Sequence, residues 1–456
     1  MVPEAIRRLA LEAEQEGGRI YAVGGAVRDR LLGRENEDVD LTGTLSQESV
    51  MKICSDLGIP CIAMSTRLGT LRIEHGQQVY EYTPFRVDVY AEGGEHRPVE
   101  VRFGVSMEED ASRRDFTVNA IYQDILTDRL EDPLNGQKDL EKRLLRVCAE
   151  DTLHSDALRI LRLVRFSGRL GFQIEEKTFA DAKQYAPLLK DIVPERKWDE
   201  FTKILLCDVR EPMKPGLCEP MKESGKVLEA LHQLDAIGVW PYLIPEIEEG
   251  KGLEQRSDYH AYTVLEHLYH SCACTPPELT LRLAGLLHDV GKARCFRENG
   301  NYYMHMKYGE RMVHEILQRL RCPKKTEEEA AFLTAQHMYD IQNGAKDKTL
   351  RKKFMEWGIE RTEELILVRE ADIRGSGKNA EYVAERWREM LSVMLRDGTP
   401  FTIGMLHVDG EILQRELGVT DGREIGRILQ ELRQHCGTRP EDNTEKQLVR
   451  LAKRMI

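Results

Sequence analysis

The spacing of apolar and polar residues changes near residue 145. Before that point, short apolar runs bounded by turn residues predict strands, and after it, apolar residues recur every three or four positions, which predicts helices. The predicted strands cover residues 20–23, 61–64, 69–73, 79–83 and 99–103. We therefore expect an α+β protein whose mixed N-terminal part is followed by an almost wholly helical remainder.

A pair of glycines follows the first predicted strand. Gly24 and Gly25 form a predicted turn whose backbone can approach a phosphate closely, and residues 26–32 predict a short helix after it. Arg28 lies in that helix, where a guanidinium can bind phosphate oxygens. The order of strand, glycine turn and arginine points to a phosphate-binding turn.

Two carboxylates alternate with an apolar residue soon afterwards. Asp38 and Asp40 flank Val39 in a second predicted strand, where a period of two places both carboxylates on one face. Such oxygens suit Mg²⁺, and two ions roughly 3.5–4 Å apart would bridge the attacking and leaving oxygens of a displacement. Alone, the glycines would be interpreted as a simple turn and the carboxylates as a solvated strand end. Together they predict metal-dependent nucleotidyl transfer.

Two arginine-containing clusters follow, at residues 113–120 and 155–166. In a helix, Asp156 and Arg159 are neighbours three positions apart, and Arg162 and Arg165 continue the same face. One interpretation is a surface helix held by salt bridges. The other is base selection, because cytosine and adenine both present an amino donor beside a ring-nitrogen acceptor. An Asp156 acceptor and Arg159 donors would fit C and A and repel U and G.

The composition mainly excludes classes of protein. With 456 residues, 41% of them hydrophobic, the chain can form two to four ordinary globular domains. No basic, apolar leader opens the sequence, and no apolar run approaches the ~20 residues of a membrane helix, so we expect a cytoplasmic protein without a membrane partner. The ten scattered cysteines predict reduced thiols. A net charge of −12 argues against broad coating of nucleic acid but allows a local basic groove.

Five motifs follow one another in the first part of the chain. They are Val-Gly-Gly-Ala-Val-Arg-Asp at 23–29, Asp-Val-Asp at 38–40, Arg-Arg-Asp-Phe-Thr-Val-Asn-Ala at 113–120, Asp-Pro-Leu-Asn-Gly at 132–136 and Asp-Ala-Leu-Arg-Ile-Leu-Arg-Leu-Val-Arg-Phe at 156–166. With them, the chain resembles the class II tRNA nucleotidyltransferases, the CCA-adding enzymes, in the family that also holds bacterial poly(A) polymerases.

The resemblance implies roles for individual residues. It makes Asp38 and Asp40 ligands of catalytic Mg²⁺, and Glu81, on a predicted strand, is the candidate third catalytic carboxylate, although a single acid on a strand is more often solvated. The nucleotide-binding residues that it implies are Gly24, Gly25, Arg28, Arg113, Arg114, Asp156, Arg159, Arg162 and Arg165.

Two features near these motifs bear on which bases are added. Ser155 stands where the family usually carries a glutamate, which puts in question the motion that switches C addition to A addition. Residues 87–98, with Gly93 and Gly94, predict a mobile loop between two strands. That loop resembles the flexible loop that full CCA-adding members keep and CC-only members shorten, and it favours complete CCA addition or A addition.

A second candidate metal site lies in the helical part. His267, the His288-Asp289 pair before Val-Gly-Lys, and Asp372 form a pattern that resembles the HD phosphohydrolase superfamily. Imidazole and carboxylate suit a transition metal such as Mn²⁺, Ni²⁺ or Co²⁺, which can activate water against a phosphate ester. Histidines of this kind are also often satisfied polar groups of a core. His260 lies before this pattern, and His305 and His337 are candidate extra ligands.

The resemblance therefore implies a polymerase-β-like nucleotidyltransferase head at 1–145. An all-helical neck and RNA-binding region would follow at 146–245, an HD-type body at 246–376 and a tail at 377–456. The predicted enzyme adds C and A from CTP and ATP to the acceptor end of tRNA, releases pyrophosphate and uses no nucleic-acid template. The alternatives are an A-adding enzyme, a poly(A) polymerase, against which the pI of about 5.7 argues mildly, and an HD phosphohydrolase with an RNA-binding head. The sequence leaves the oligomeric state open.

Overall fold

A computed structural model describes residues 2–36, 38–90, 98–209, 223–378 and 382–456. The chain divides into two compact units. The first holds Met1–Cys207 and Glu229–Leu243, and the second holds Asp208–Leu228 and Ile244–Ile456. The finer division into four domains at residues 145, 245 and 376 stays a prediction.

All strands of the described residues lie in the first unit. In chain order they are β1 (Ile20–Val23), β2 (Asp40–Gly43), β3 (Cys61–Ser65), β4 (Thr70–His75), β5 (Gln78–Pro84), β6 (Arg86–Val89), β7 (Glu100–Phe103), β8 (Tyr122–Asp124), β9 (Leu130–Glu131), β10 (Leu144–Leu145) and β11 (Gln173–Ile174). Seven of them form one sheet in the order β3-β4-β5-β2-β1-β8-β9, in which only β2 and β5 pair in parallel. The pairs β6-β7 and β10-β11 stand apart from it.

Helices alternate with the strands in the first part of the chain, and only helices follow the last strand among the described residues. Those of the first unit are α1 (Glu4–Gln15), α2 (Gly25–Leu31), α3 (Gln47–Asp56), α4 (Met107–Ser112), α5 (Gly136–Glu141), α6 (Thr152–Ser155), α7 (Leu158–Leu170), α8 (Glu176–Tyr185), α9 (Pro194–Leu205) and α11 (Trp240–Leu243). Helix α10 (Gly225–Ile237) contains the boundary between the two units.

The central strands follow directly from the apolar pattern. Every residue of β1 is buried, which confirms the prediction of a buried strand at 20–23. In β5 the side chains of Tyr80 and Tyr82 are buried, whereas Glu81 between them is exposed, as period-two alternation requires. Tyr21 of β1 packs against Phe85 with ring centroids 5.8 Å apart, and this aromatic contact anchors the core under the sheet.

Ser46 caps the start of α3. Its hydroxyl accepts a hydrogen bond from the Ser49 N–H at 3.2 Å. The hydroxyl of Thr44, two residues earlier, accepts from the backbone N–H of Arg19 at 2.9 Å and joins the end of β2 to the start of β1.

The described part of the second unit is helical. Its remaining helices are α12 (Pro245–Glu248), α13 (Val264–Cys274), α14 (Leu279–Leu287), α15 (Gly291–Asn299), α16 (His305–Arg319), α17 (Lys324–Gln336), α18 (Asp347–Trp357), α19 (Ile359–Gly375), α20 (Tyr382–Arg396), α21 (Gly410–Leu417), α22 (Gly422–Cys436) and α23 (Glu445–Ala452). A core of Phe354, Trp357 and Trp387 joins α18 to α20, and a separate apolar cluster joins α21, α22 and α23. Within the described ranges, every helix is too short or too polar to span a bilayer. No disulfide joins the described cysteines.

Candidate functional site

Three carboxylates lie together in the first unit, where the interior strand β2 begins beside β5. Asp40 opens β2 and pairs in register with Glu81 of the parallel strand β5, so both side chains leave the same face of the sheet. Asp38 lies two residues earlier, outside the strand, because β2 begins at Asp40 and not at Asp38 as the alternating pattern suggested. All three residues are exposed.

The charges of these carboxylates act on one another. Desolvation by the surrounding protein raises the pKa of Asp40, although the residue keeps an exposed surface. The Arg114 guanidinium opposes this rise, whereas the Glu81 and Asp38 carboxylates add to it. Carboxylates that raise the pKa of a neighbour form a site that a cation would stabilise, and an all-oxygen donor set fits a hard divalent ion.

The glycine turn lies directly beside this site. Gly24 has φ +79°, a backbone conformation that residues with a Cβ rarely adopt, and a Cβ built there would lie 3.5 Å from Asp40 Oδ2. Gly25 begins α2. The turn therefore brings open backbone next to the carboxylates, as a bound triphosphate would require.

Arg28 is held inside the protein. Its side chain is buried, Nε donates to Asp29 Oδ1 at 2.8 Å, and Nη1 donates to Asn119 Oδ1 at 2.7 Å. The guanidinium carbon also lies 5.2 Å from the centroid of the Phe166 ring. The sequence predicted a phosphate contact for Arg28, and the structure places its guanidinium in a network that joins α2 to the arginine-rich helix α7.

A buried carboxylate that sequence reasoning missed organises the first arginine cluster. Asp110 is fully buried, and it accepts hydrogen bonds from Arg113 Nε at 2.8 Å, from Arg114 Nη2 at 3.0 Å and from the Tyr122 hydroxyl at 2.7 Å. Burial alone would raise the pKa of Asp110, but the two arginines and Tyr122 lower it. The signal in the sequence was an acid three and four positions before an arginine pair.

Acids also contact Arg162 and Arg165 on α7. Asp115 Oδ2 accepts from Arg162 Nε at 3.0 Å, and Asp115 Oδ1 accepts from Asn119 Nδ2 at 3.0 Å. Burial would raise the pKa of Asp115, but Arg162 and Asn119 hold it below its ordinary range. Arg165 Nε lies 3.3 Å from Glu200 Oε2. These arginines therefore tie α7 to the neighbouring elements.

The predicted base-selecting pair is split by the start of α7. The helix begins at Leu158, and Asp156 precedes it in an extended conformation, so the two residues do not share one helix as the sequence suggested. Asp156 Oδ1 accepts from the backbone N–H of Leu158 at 3.1 Å, and Oδ2 accepts from Arg196 Nη2 at 3.0 Å. These hydrogen bonds hold Asp156 between the end of α6 and the start of α7.

Arg159 is bound by backbone oxygens. Its Nη2 donates to the carbonyl of Arg113 at 2.6 Å, and its Nη1 donates to the carbonyl of Thr152 at 3.3 Å. The structure thus connects the two arginine-containing motifs, at 113–120 and 156–166, through one guanidinium. The position of Arg113 would therefore also affect a base that contacts Arg159.

A pocket of about 380 Å³ lies against these motifs in the first unit. Tyr90, Arg113, Ser155 and Arg159 are among its lining residues, whereas Asp156 is not. Ser155 Oγ donates to Asp151 Oδ2 at 3.0 Å. Its lining holds two arginines, Arg113 and Arg159, together with four acids, Asp88, Glu108, Glu109 and Asp151.

Val87, Asp88 and Tyr90, at the start of the predicted loop at 87–98, line this pocket, and the prediction of a loop is wrong for residues 87–89. Residues 87–89 belong to β6, which pairs with β7 in an antiparallel ribbon. The rest of the predicted loop includes residues 91–97, which lie outside the described residues.

In the second unit, one cluster of metal-ligand atoms joins His267, His288 and Asp372. The two Nε2 atoms lie 3.1 Å apart, and Asp372 Oδ1 lies 3.1 Å from His267 Nε2 and 3.5 Å from His288 Nε2. Burial would lower the pKa of His288, but the Asp289 and Asp372 carboxylates have the larger effect and raise this pKa to about 10. Three predicted ligands thus converge, from α13, the end of α14 and α19.

A second cluster joins Asp289, His305 and His337. Asp289 Oδ1 lies 2.9 Å from His305 Nε2, and the two imidazole Nε2 atoms lie 3.2 Å apart. Burial would raise the pKa of Asp289, but Lys292, His288 and His305 hold it well below its ordinary value. The fourth predicted ligand, Asp289, therefore reaches both clusters, since its Oδ2 lies 3.3 Å from His267 Nε2.

His260 lies beside the first cluster without joining it. Its ring centroid is 4.6 Å from that of His267, and its Nδ1 atom is buried without a hydrogen-bond partner. Burial, with Lys292 and His267 nearby, lowers the pKa of His260 to about 3. A neutral ring in this position packs against the ligand His267.

Three family models match separate parts of the chain. Residues 20–146 match the poly A polymerase head domain, residues 171–214 match a probable RNA and SrmB-binding site of polymerase A, and residues 258–374 match the HD domain. The head match covers the carboxylates and the glycine turn, and the HD match covers both histidine clusters.

Whole-chain comparisons agree with these matches. The A-adding tRNA nucleotidyltransferase of Deinococcus radiodurans is 30% identical over 430 residues, which are 90% of this chain and 89% of that protein. The multifunctional CCA protein of Pseudomonas aeruginosa is 30% identical over 378 residues, 78% of this chain and 85% of that protein. The crystal structure of the Bacillus stearothermophilus CCA-adding enzyme in complex with CTP shares the fold, with a TM-score of 0.69, 24% identity and coverage of 100% of this chain and 98% of that one.

Proposed function

This chain belongs to the family of tRNA nucleotidyltransferases and poly(A) polymerases, and we propose that it adds C and A from CTP and ATP to the acceptor end of tRNA without a nucleic-acid template. It is an enzyme, a nucleotidyltransferase. The observation that carries the proposal is that three carboxylates and the Gly24 turn lie together at the start of strand β2. Tyr90, Arg113 and Arg159 line a nucleotide-sized pocket in the same unit.

The proposed reaction is an in-line displacement at phosphorus. The terminal 3′-hydroxyl of tRNA loses its proton to solvent and its oxygen forms a bond to the α-phosphorus of CTP or ATP, while the bond from that phosphorus to the bridging oxygen of the β-phosphate breaks and pyrophosphate leaves. Asp38 and Asp40, with Glu81 as the third carboxylate, would hold Mg²⁺, which lowers the pKa of the hydroxyl and stabilises the charge on the phosphate. The Gly24 turn leaves room for the triphosphate beside Asp40.

The arginines are proposed to act around the nucleotide in two ways. Arg113 and Arg159 line the pocket and can contact the nucleotide directly. Arg114 lies close enough to lower the pKa of Asp40, so it can balance charge near the reacting phosphate. Arg28 is buried in its network, and we propose that it mainly positions the glycine turn.

The remaining helices are proposed to hold the tRNA acceptor end. The match of residues 171–214 to an RNA-binding region of polymerase A supports this role for the neck. Because tRNA is the proposed substrate, the cytoplasm is the proposed location. Relatives named for A addition and for CCA addition are both 30% identical to this chain, over 430 and 378 residues, so the addition of both bases rests on the proposal itself.

Labelled-nucleotide incorporation separates this proposal from poly(A) polymerase activity. The protein is incubated with Mg²⁺, labelled CTP or ATP, and either tRNA that lacks its terminal CCA or an unstructured RNA of similar length. We expect incorporation that stops after a few nucleotides on tRNA only. Long A tracts on the unstructured RNA would support a poly(A) polymerase instead.

Base selection provides a second prediction. Asp156→Ala and Arg159→Ala should relax discrimination against UTP and GTP by roughly 1–3 kcal/mol each, because each removes part of a hydrogen-bond pattern that fits C and A. The measurement is the ratio of kcat/KM for CTP to that for UTP on tRNA that lacks CCA. Arg169→Ala, an exposed arginine on the same helix α7, is the matched control. Wild-type ratios in both variants would refute a template role for this pair.

The HD region is proposed to form a separate metal site. We propose that His267, His288, Asp289 and Asp372 bind a divalent transition metal such as Mn²⁺, Ni²⁺ or Co²⁺, since mixed imidazole and carboxylate donors suit such ions. The convergence of His267, His288 and Asp372 within one cluster supports this assignment.

Separation of the two sites gives a third prediction. His288→Ala and Asp289→Ala should leave nucleotide addition to tRNA within about twofold of wild type, since the two proposed metal sites belong to different units and use different ligand types. Any hydrolysis of phosphate esters in the presence of Mn²⁺ should be lost. The measurement pairs both assays on the same protein preparation, with circular dichroism as the check on folding. Loss of nucleotide addition in a folded His288→Ala protein would show that the sites are coupled.

A further inference from the structure

The ring of Phe166 lies among three arginine side chains in the first unit. The guanidinium carbon of Arg165 lies 4.5 Å from the ring centroid, that of Arg28 5.2 Å and that of Arg162 5.6 Å. A cation within about 6 Å of an aromatic centroid is attracted by the charge distribution of the ring. Phe116 packs edge-on against the same ring with centroids 5.8 Å apart, which fixes the ring itself. One phenylalanine therefore contacts cations from two helices, α2 and α7.

Each of the three arginines also has an acidic partner. The pairs are Arg28 with Asp29, Arg162 with Asp115, and Arg165 with Glu200. These ion pairs offset the repulsion between three like charges, but each binds its arginine to a different part of the unit. The Phe166 ring contacts all three arginines, so it sets their positions relative to one another.

Arg28 connects the ring to the glycine turn. Its backbone N–H donates to the carbonyl of Gly24 at 3.1 Å, and a Cβ built at Gly25 would lie 3.7 Å from Arg28 Nη2. The guanidinium therefore lies beside the backbone of the turn. Because the Arg28 side chain is buried, its position depends on the groups that pack against it. A change at the ring would thus shift the space beside Gly25.

Helix α7 connects the ring to the predicted base-selecting residues. The helix runs without a break from Leu158 to Leu170, and Arg159 and Phe166 are seven residues apart in it. Seven residues are close to two full turns, so both side chains leave nearly the same face, roughly 10 Å apart along the axis. Asp156 lies two residues before the start of the helix. A regular helix therefore joins the ring to the base-selecting pair.

A chain of hydrogen bonds joins the same two helices. Arg28 Nη1 donates to Asn119 Oδ1 at 2.7 Å, and Asn119 Nδ2 donates to Asp115 Oδ1 at 3.0 Å. Asp115 Oδ2 in turn accepts from Arg162 Nε at 3.0 Å. The guanidiniums of Arg28 and Arg162 are thus joined twice, once through these hydrogen bonds and once through the Phe166 ring. Two separate connections restrict their relative movement more than one would.

We propose that Phe166 is a positioning residue for the nucleotide: through Arg28, its ring holds the glycine turn in a fixed place relative to the base-selecting residues at the start of α7. The proposal rests on the function proposed above, in which the turn receives the triphosphate and Asp156 and Arg159 select the base. The two ends of one nucleotide are then held at a set separation. A base that fits the selecting pair also brings its triphosphate to the turn, so Phe166 contributes to base selection without touching the base.

Fluorinated phenylalanines at position 166 test the contact between the ring and the cations. Ring fluorines withdraw electron density from the face of the ring stepwise, while the size of the side chain changes little. The full chain is prepared with no, one, two or three ring fluorines at Phe166, and the binding of CTP and of UTP is measured by calorimetry with Mg²⁺ and without tRNA. We expect the Kd for CTP to rise with each fluorine, by about tenfold for three, and the Kd for UTP to change by less than about twofold.

The matched control places the same fluorinated residues at Phe201, a buried phenylalanine of α9 whose ring packs edge-on against Trp240 with centroids 6.2 Å apart. This series should keep the wild-type Kd for CTP. Phe166→Leu, which keeps an apolar side chain but removes the ring, should bind CTP as weakly as the protein with three fluorines. A Kd for CTP that stays constant along the Phe166 series, or an equal rise along the Phe201 series, would overturn the proposal.

Transfer of CTP to tRNA that lacks its CCA end separates this proposal from the proposed function. Unmodified protein that binds CTP without transferring it would contradict the proposed function, and the Kd values of the Phe166 series would still decide the role of the ring. With transfer, the KM for CTP should rise along the series while kcat changes by less than about twofold, because the ring positions the nucleotide and takes no part in the reaction. A fall in kcat at constant KM would overturn the positioning role. Unmodified protein that binds no CTP would overturn both.

Discussion

Replacing Asp40 with asparagine should abolish nucleotide transfer while leaving the fold intact. Asp40 is paired with Glu81 across β2 and β5 and has Asp38 close enough to raise its pKa, so it lies at the centre of the proposed Mg²⁺ site. Charge stabilisation by such an ion contributes several kcal/mol, and each 1.4 kcal/mol is a factor of ten in rate. We therefore expect a loss of roughly 1,000-fold or more in kcat for CTP incorporation into tRNA, and the same loss for Asp38→Asn.

The control for this prediction is Asp56→Asn, which changes an exposed carboxylate at the end of α3 in the same unit. It should transfer nucleotides at the wild-type rate. Thermal unfolding followed by circular dichroism checks that each variant is folded. Incorporation within tenfold of wild type in a folded Asp40→Asn protein would remove Asp40 from the reaction centre.

Replacing Asp110 with alanine should destabilise the first unit by about 3–5 kcal/mol, because it leaves buried charged partners without their acceptor. Asp110 is fully buried and accepts from Arg113, Arg114 and the Tyr122 hydroxyl. The measurement is the free energy of unfolding from urea titration, followed by a probe in the first unit. Glu108→Ala, an exposed acid on the same helix α4, should change it by less than about 0.5 kcal/mol.

The pH dependence of the same variant checks the cause. The pKa of Asp110 is lowered in the folded protein, so its ionised form stabilises the fold above the ordinary carboxyl pKa of about 3.9, and this stability is lost as the pH falls through the lowered value. The difference in unfolding free energy between wild type and Asp110→Ala should therefore shrink as the solution is made acidic. A difference that stays constant from neutral to acid pH would show that the loss arises from packing alone.

The sequence predicted the central strand well and the ends of elements less well. Residues 20–23 are apolar throughout and became β1, buried along its whole length. Asp38 and Asp40 follow the same alternation, but the strand begins only at Asp40, because pairing with β1 starts there. A local pattern fixes which residues face the core, whereas the first hydrogen-bonded pair depends on the neighbouring strand.

Long-range contacts decided the roles that the sequence could not resolve. Arg28 was expected to contact phosphate, yet its guanidinium donates to Asn119, 91 positions later in the chain. Asp110 carries no motif of its own, and its importance arises only when Arg114 and Tyr122 fold against it. Spacing alone also placed Asp156 in the helix of Arg159, whereas the Asp156 carboxylate accepts from Leu158 and Arg196 instead.

In the HD region, the sequence showed the candidate ligands but not how they are grouped. Its histidines could be recognised as ligand types from the sequence, and His305 and His337 were suspected as extra ligands. Their division into two clusters that share Asp289 depends on how closely α16 and α17 approach the end of α14, which the glycines at 291 and 309 allow. A sequence records the donors, but the fold determines how they are grouped.

The central claim is that the head adds C and A to tRNA through the carboxylates at the start of β2, and one assay tests it most directly. Three tRNA transcripts, ending before CCA, after the first C and after the second C, are each incubated with Mg²⁺ and CTP, ATP or both, and the products are resolved at single-nucleotide length. The account predicts C addition to the first two, A addition only to the third, a complete CCA end with both nucleotides, and no product with Asp40→Asn. A protein that extends only the transcript ending in CC would be an A-adding enzyme, and a protein that extends none of them would contradict the account.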